Sequence, residues 1–446
     1  MKLLENPAFR LTLAVLGALG GLATIIQHVL VTDFPVDMII YREGVKAFLD
    51  GRSVYAEPMM AGDLKLPFIY PPFGALFMVP LTIFSGITDS MAGDIMIVIS
   101  DLAILACLFG IFRAVTKRSD IWWAILPVWA LALNFEPVRL NDGFAQINIV
   151  VMALVVADLV PRKRFLPQGW LIGVAAAIKI TPLAILLYFL VRKEWKPILT
   201  AAASAVIATL LAAAVRWQVF VEFFSTKLLQ MGSGGDFGVG TDYQSNSSLK
   251  AVIQRLFTSK ETAEAHGTLI NLLWLAAALL TVVLGALLIR RLVHRGWDTE
   301  AWMTAAVVML LISPVSWSHH WVWLALIIPV LIYRVCETRT WLTGGLMAVL
   351  VAWAAMLLTV PPKWWFGDQI DVYGMPFFQK FLVDDFVWLA VIAFTLFALC
   401  FARTQSPTTS RSAAKWPSNA DFPAVVSMTH TVSLPREEPY SRKRET

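Results

Sequence analysis

The sequence predicts an all-α polytopic membrane protein, a bundle of about 11–13 membrane segments with re-entrant pairs and a large first outer loop. Three observations predict it. Of 446 residues, 58% are apolar and only 15% charged, with a mean hydropathy of +0.68; a soluble domain carries about 25% charge. Uncharged runs recur at Leu11–Thr32, Pro197–Val215, Gly267–Ile289, Thr340–Pro362 and Phe386–Ala402, near the ~20 residues a helix needs to cross a bilayer. Between the apolar stretches lie short Lys/Arg clusters of the kind that mark cytoplasmic loops.

Those clusters assign the sides. Lys117-Arg118, Arg162-Lys163-Arg164, Arg192-Lys193, Arg290-Arg291 and Arg334/Arg339 are expected inside. Residues 33–68, 135–143, 217–266, roughly 313–319 and 361–385 then face outward, carrying many aspartates with Gly, Tyr and Asn. The net charge of +5 is the ordinary basic excess of cytoplasmic loops, so no nucleic-acid partner is expected. Leu11–Thr32 has no small-residue cleavage site after a short apolar core and reads as a retained span. Residues 1–403 form the membrane-embedded domain. Residues 404–446, rich in Ser, Thr and Pro, are expected to be a disordered cytoplasmic tail.

Two stretches must enter and leave on the same side. Between Arg164 and Arg192 there is room only for two short helices of about 11 residues, roughly 16 Å each. "AAAIKITPLAI" marks their break, with Pro182 ending the helix and Lys179 at the tip. "SPVSWSHHWVW", residues 313–323, interrupts the uncharged run Ala301–Tyr333 in the same way. Broken segments are tolerated in a membrane only where they line an enclosed or watery cavity. For "FIYPPFGALFMVPL", Phe68–Leu81, spanning and re-entrant readings both stand, the re-entrant one sparing Lys117-Arg118 from the outer side.

The candidate chemistry lies on the outer loops and at these breaks. In "TDFPVDMIIYREGVKAFLDG", Asp37 and Tyr41 are i, i+4 on one face of a short amphipathic helix that Gly51 stops. Asp37 suits a general base, its pKa raised by desolvation at a cavity mouth; alternatively Asp33 or Asp37 caps the helix. His319 and His320 sit beside a helix break, where an imidazole can shuttle a proton or hold a phosphate, or simply pack. Gln146 and Asn148 open a span and can bind sugar hydroxyls or a neighbouring helix. In the third outer loop, Asn246 and Arg255 are further candidates for substrate binding, with Ser248 a candidate helix cap. Asn246-Ser247-Ser248 also fits the glycosylation pattern, a match frequent by chance.

Cys107, Cys336 and Cys400 have no paired spacing, and His and Cys do not recur at ligand spacing, so neither disulfides nor a metal is expected. There is no Asp-x-Asp, P-loop or dinucleotide fingerprint, which disfavours a nucleotide-dependent site.

Taken in order, "VDMIIYREGVKAFLDGRSVY", "FIYPPFGALFMVPL", "GFAQINIVVMALVVAD", "LIGVAAAIKITPLAILLYFLV", "SNSSLKAVIQRL" and "SPVSWSHHWVW" resemble the polytopic glycosyltransferases of family 87. That family belongs to the GT-C superfamily and includes actinobacterial α-1,2-mannosyltransferases. The resemblance covers roughly Asp33 to Trp323. It departs at Ala145, where the family usually has Gly before the Gln. It implies sugar transfer from a polyprenyl-phosphate sugar, typically polyprenyl-phosphate-mannose, to a mannan or glycolipid hydroxyl outside the cytoplasm, with no cofactor. Phosphate is already a good leaving group, so one base and a pocket aligning both substrates suffice. By resemblance Asp37 matches the base and His319 the residue that meets the donor phosphate. His320 is the alternative, since neighbours on a helix point about 100° apart. Lys179 is expected as phosphate counter-charge. Direct displacement from a β-linked donor gives an α-linked product. A transporter or flippase of a lipid-linked sugar is the alternative, since transporters also use broken helices; they commonly show paired repeats, and none is visible.

Overall fold

The computed structural model describes residues 5–84, 86–161, 163–233, 238–338 and 340–401; the expected tail, 404–446, lies outside them. Helix α1, Pro7–Val31, is capped by the Asn6 side chain. Helix α2, Val36–Asp50, ends at Gly51 in the left-handed region, φ 82°. A small hairpin follows, β1 Met59–Ala61 antiparallel to β2 Leu64–Leu66, with Met59 opposite Leu66. Then come α3 Pro72–Met78, α4 Asp89–Thr116, α5 Trp122–Leu133, α6 Glu136–Gly143 and α7 Asn148–Leu159. Helix α8, Trp170–Ile178, gives way to extended backbone at Lys179 (φ −147°, ψ 125°), a 3-10 turn over Thr181–Ile185 and α9, Leu186–Arg192. After α10, Trp195–Val215, come short helical turns at Trp217–Glu222, Phe223–Lys227, Leu228–Ser233 and Lys260–Ala265, with α11, Leu249–Arg255, before the last of them. The remainder is α12 Gly267–His294, α13 Asp298–Ile312, a 3-10 stretch Ser318–Trp323, α14 Leu324–Cys336, α15 Trp341–Leu358, α16 Phe377–Val383 and α17 Asp385–Phe401.

Among the described residues, six helical stretches are long and apolar enough to cross a membrane, and α16 with α17, bent by 75°, makes a seventh. Four shorter apolar helices accompany them, which with the seven makes eleven apolar segments, the lower end of the expected 11–13, only part of them long enough to cross. The chain is a multi-pass membrane protein. All five uncharged runs appear as helices; α4 adds another that Asp94 and Asp101 keep out of any uncharged run. Pro72–Leu81, seven α-helical and three 3-10 residues, rises roughly 16 Å, about half the hydrocarbon thickness. A full crossing is too long for it, which favours the re-entrant reading of 68–87.

The peripheral spans turn Leu side chains outward, as Leu272, Leu275 and Leu279 do on α12, because lipid solvates them. The centre is the opposite. Helices α13 and α14, on either side of the 313–323 break, are buried on nearly every face, as a helix apolar all round must be. Gly173 lets α8 lie directly on α10, since a Cβ there would collide with the Ser204 hydroxyl and the Ala201 carbonyl.

The break frees backbone groups, several of them buried, that need partners, and the stretch 245–248 supplies most of them. Ser316 N–H donates to Asn246 Oδ1 (2.8 Å) and Ser318 N–H to Ser245 Oγ (3.1 Å). Ser247 N–H donates to the Ser316 carbonyl (2.7 Å), and Ser248 Oγ to that of Pro314 (3.2 Å). Ser248 also caps α11, accepting from Ala251 N–H. The amide of Asn246 is therefore irreplaceable by an apolar side chain. Asn246→Ala should cost about 2–3 kcal/mol by orphaning buried groups, more than the roughly 1 kcal/mol of a lost cap in Ser248→Ala. Thermal unfolding in detergent would show this as the larger fall in Tm for Asn246→Ala; equal shifts would contradict it.

Candidate active site

Helix α2 carries Asp37 and Tyr41 on the face expected. Pro35 stands at its N-cap with no side-chain capping bond, so Asp37 is not used as a cap. Its carboxylate accepts instead from Gln146 Nε2 at 2.6 Å. Gln146 has one orientation open to it. An ionised Asp37 can only accept, so it takes the NH₂, and the carbonyl oxygen turns to the hydroxyls of Tyr41 (2.6 Å) and Tyr70 (3.1 Å), themselves 2.8 Å apart. Gly44 permits the approach beneath: a Cβ there would strike the Phe68 ring, which packs against Tyr70.

Two residues on, Asn148 does the same for the other half of the site. Its Oδ1 accepts from Lys179 Nζ at 2.6 Å and its Nδ2 donates to the His319 carbonyl at 3.3 Å. Lys179 Nζ also lies 3.3 Å from His320 Nε2 and 5.5 Å from the centre of the Tyr70 ring. An ammonium can only donate, so His320 accepts through Nε2 and keeps its proton on Nδ1. His319 packs edge-to-face on Phe144 (5.3 Å) and His320 (4.8 Å), and neither of its ring nitrogens has a hydrogen-bond partner among the described residues.

These groups share one open cavity of about 1600 Å³. Asp37, Tyr41, Gln146, Lys179, His319 and His320 all line it, while Asn148, Lys179 and His320 also border a side pocket of about 30 Å³. The expectation that only one histidine faces the cavity is corrected. Residues 318–323 are 3-10 rather than α, with Trp321 outside helical geometry, so the 100° argument does not apply. Asn246 and Arg255 are not brought to the cavity. Asn246 holds the break, and Arg255, fully buried, bonds the carbonyls of Asp242, Tyr243 and Asn246 and pairs with Asp384. They support the wall.

The surroundings of Asp37 act on its carboxyl in opposite directions. Burial pushes its carboxyl up to about 6, against the pull of the Gln146 hydrogen bond and the charge of Lys179. Two residues escaped the sequence reading. Tyr70 completes the Gln146 clamp, and its only signal was a polar aromatic before Pro-Pro in an apolar stretch. Glu136 lies in the cavity wall and accepts from Ser318 Oγ (2.7 Å) and Trp364 Nε1 (2.7 Å). A carboxylate closing an apolar run in "LNFEPVRL" was its signal.

The cavity unites a carboxylate, a lysine and two imidazoles, the polar equipment of a candidate active site, and comparison with known proteins places the chain in a family. Residues 68–314, more than half of the chain, match glycosyltransferase family 87. A Mycobacterium tuberculosis protein is 33% identical over 305 residues, 66% of this chain and 69% of its own length. It is named a polyprenol-phosphate-mannose-dependent alpha-(1-2)-phosphatidylinositol mannoside mannosyltransferase. A Mycolicibacterium smegmatis protein, named for phosphatidylinositol pentamannoside as acceptor, is 32% identical over 307 residues, 65% of this chain and 67% of its own. A crystal structure of ArnT from Cupriavidus metallidurans bound to undecaprenyl phosphate aligns with a TM-score of 0.40 and 16% identity, covering 86% of this chain and 76% of that one. The chain belongs to glycosyltransferase family 87 and is a membrane glycosyltransferase. Asp37 and the His319-His320 pair lie just outside the matched residues, on either side.

Ala145, where the family resemblance leads one to expect Gly, has φ 51°. A left-handed backbone costs an L-residue about 1 kcal/mol or more, so the position that aims Gln146 is strained. Ala145→Gly should leave turnover within about twofold and change stability by at most about 1 kcal/mol. Ala145→Val should lower Tm and activity together. A Val variant with unchanged Tm would contradict the strain.

Proposed function

We propose that this protein transfers a mannosyl residue from polyprenyl-phosphate-mannose to a hydroxyl of a glycan or glycolipid at the extracytoplasmic face, with inversion, forming an α-1,2 linkage. The observation that carries the reading is the meeting in one cavity of Asp37, held by Gln146, with Lys179, held by Asn148, and with His320, which Lys179 contacts. The printed activities of the mycobacterial relatives support mannose, the lipid phosphate donor and a phosphatidylinositol mannoside class of acceptor. The Lys/Arg distribution supports the outward orientation.

In this mechanism the acceptor hydroxyl donates its proton to Asp37 as its oxygen attacks C1 of the sugar from the face opposite the phosphate. The C1–O bond breaks and its electron pair leaves with the lipid phosphate. Negative charge then grows on that phosphate, where Lys179 and an imidazole of His319 or His320 meet it. Such donors replace the metal that a nucleotide diphosphate would need. Tyr41 and Tyr70 act one step back: by saturating Gln146 Oε1 they keep its NH₂ on the carboxylate, which holds the base in place before either substrate arrives.

The test is mannosyl transfer from synthetic polyprenyl-phosphate-mannose to a mannoside by purified protein. Asp37→Asn should lose on the order of a thousandfold or more in kcat while keeping its Tm. A raised pKa leaves the base protonated below it, so kcat/KM should fall tenfold per pH unit below about 6 and level off above. Near-normal turnover by Asp37→Asn would remove it as the base. Lys179→Ala should weaken the transition state on the donor side by roughly 10²-fold, and a donor-independent effect would contradict its role.

A further inference from the structure

Away from the reaction cavity, three helices bring three ligand-type side chains to one point. His28 on α1, Asp101 on α4 and Asp142 on α6 are all buried. His28 Nδ1 lies 2.9 Å from Asp142 Oδ2 and 3.3 Å from Asp101 Oδ2, and one ligand atom from each residue lies within 4.8 Å of the others. None of the three borders the cavity or its side pocket, and the proposed transfer gives them no task.

Their environment leaves charge unanswered. Two carboxylates face one imidazole, and neither has a Lys or Arg ion pair among the described residues. Asp101 is wholly buried, yet neither of its oxygens accepts a hydrogen bond of sound geometry. The same is true of Asp142 Oδ2 and His28 Nδ1, despite their short separation. An imidazole N–H serving one carboxylate would align with that oxygen. Here two oxygens stand about one nitrogen with neither aligned, as donor atoms do when they converge on a common centre. The spacing agrees. Around a cation at about 2.0–2.1 Å, ligand atoms subtending 90–110° stand roughly 2.9–3.4 Å apart, the interval of both contacts from Nδ1.

We propose that His28, Asp101 and Asp142 bind one divalent transition-metal ion of the zinc or manganese class, separate from the reaction centre. One imidazole and two carboxylates suit such ions, and a dication neutralises both carboxylates, where a protonated His28 would answer only one of the two charges and no Lys or Arg among the described residues pairs with either. The ion ties α1 and α4 to α6, the helix that leads through Ala145 into Gln146. It acts as a structural cross-link behind the base, and the proposal holds whichever sugar is transferred.

The test uses full-length protein purified without a chelator or a polyhistidine tag. It is equilibrated with Zn²⁺ or Mn²⁺, desalted, and its metal counted by inductively coupled plasma mass spectrometry. Wild type should retain about one ion per chain and gain Tm, as expected of a ligand that binds only the folded state. Asp101→Asn and His28→Gln should retain less than about a tenth of that. X-ray absorption on the wild-type zinc form should give a shell of light N/O donors at roughly 2.0–2.1 Å; this measurement needs no variant to fold. Wild type that holds neither ion above the buffer blank overturns the proposal. So does metal retained by both variants, or a sulfur-containing shell.

Discussion

Everything at the centre of this protein depends on satisfying a backbone that stops being helical inside an apolar bundle. Between α13 and α14, residues 314–316 make no helical hydrogen bonds, and they lie between two heavily buried helices. The break borders the open cavity on one side, but Ser316 and Ser318 are buried, and each freed group left alone there would be costly. The Ser-Asn-Ser-Ser segment 245–248 answers them from one side and Asn148 from another. Once the break is secured, His319 and His320 are fixed with it. The same logic governs Lys179, which leaves the helix at the end of α8. Irregular backbone is the means by which polar side chains reach a cavity that regular helices would wall with Leu and Val.

Two amides two residues apart join the halves of the site. Gln146 reaches the α2 side and Asn148 the two breaks, so the short connection between α6 and α7 sets the separation of the Asp37 carboxylate from Lys179 and the histidines. Each amide has both its ends occupied, which removes the freedom to flip. The polar groups are thus oriented at a cost met during folding, before any substrate binds.

The sequence made the architecture legible because membrane helices advertise themselves: length, missing charge and Lys/Arg placement each derive from the physics of the bilayer. The breaks at Pro182 and Pro314 were readable from too little chain between like-sided charges. The helix bearing Asp37, its face shared with Tyr41 and its end at Gly51 all followed from local rules. What local rules could not reach were partners distant in sequence. That Gln146 meets Asp37, 109 residues away, is a property of packing. That Asn246 and Arg255 serve the wall rather than the cavity is another, since a polar residue on an outer loop looks the same whether it greets a ligand or a carbonyl. The length of Pro72–Leu81 was likewise invisible until its ends were known. His28, Asp101 and Asp142 come from three separate helices, and no spacing along one helix announces such a meeting.

The cavity is built from two kinds of material. Its floor consists of helix-anchored groups and secured breaks, each tied at both ends, whereas much of its rim is loop: 238–245, 359–361 and 368–373. A rim of this kind tolerates insertion and substitution far more readily than the floor. Descendants of such a protein can therefore rewrite the doorway with the hearth left untouched.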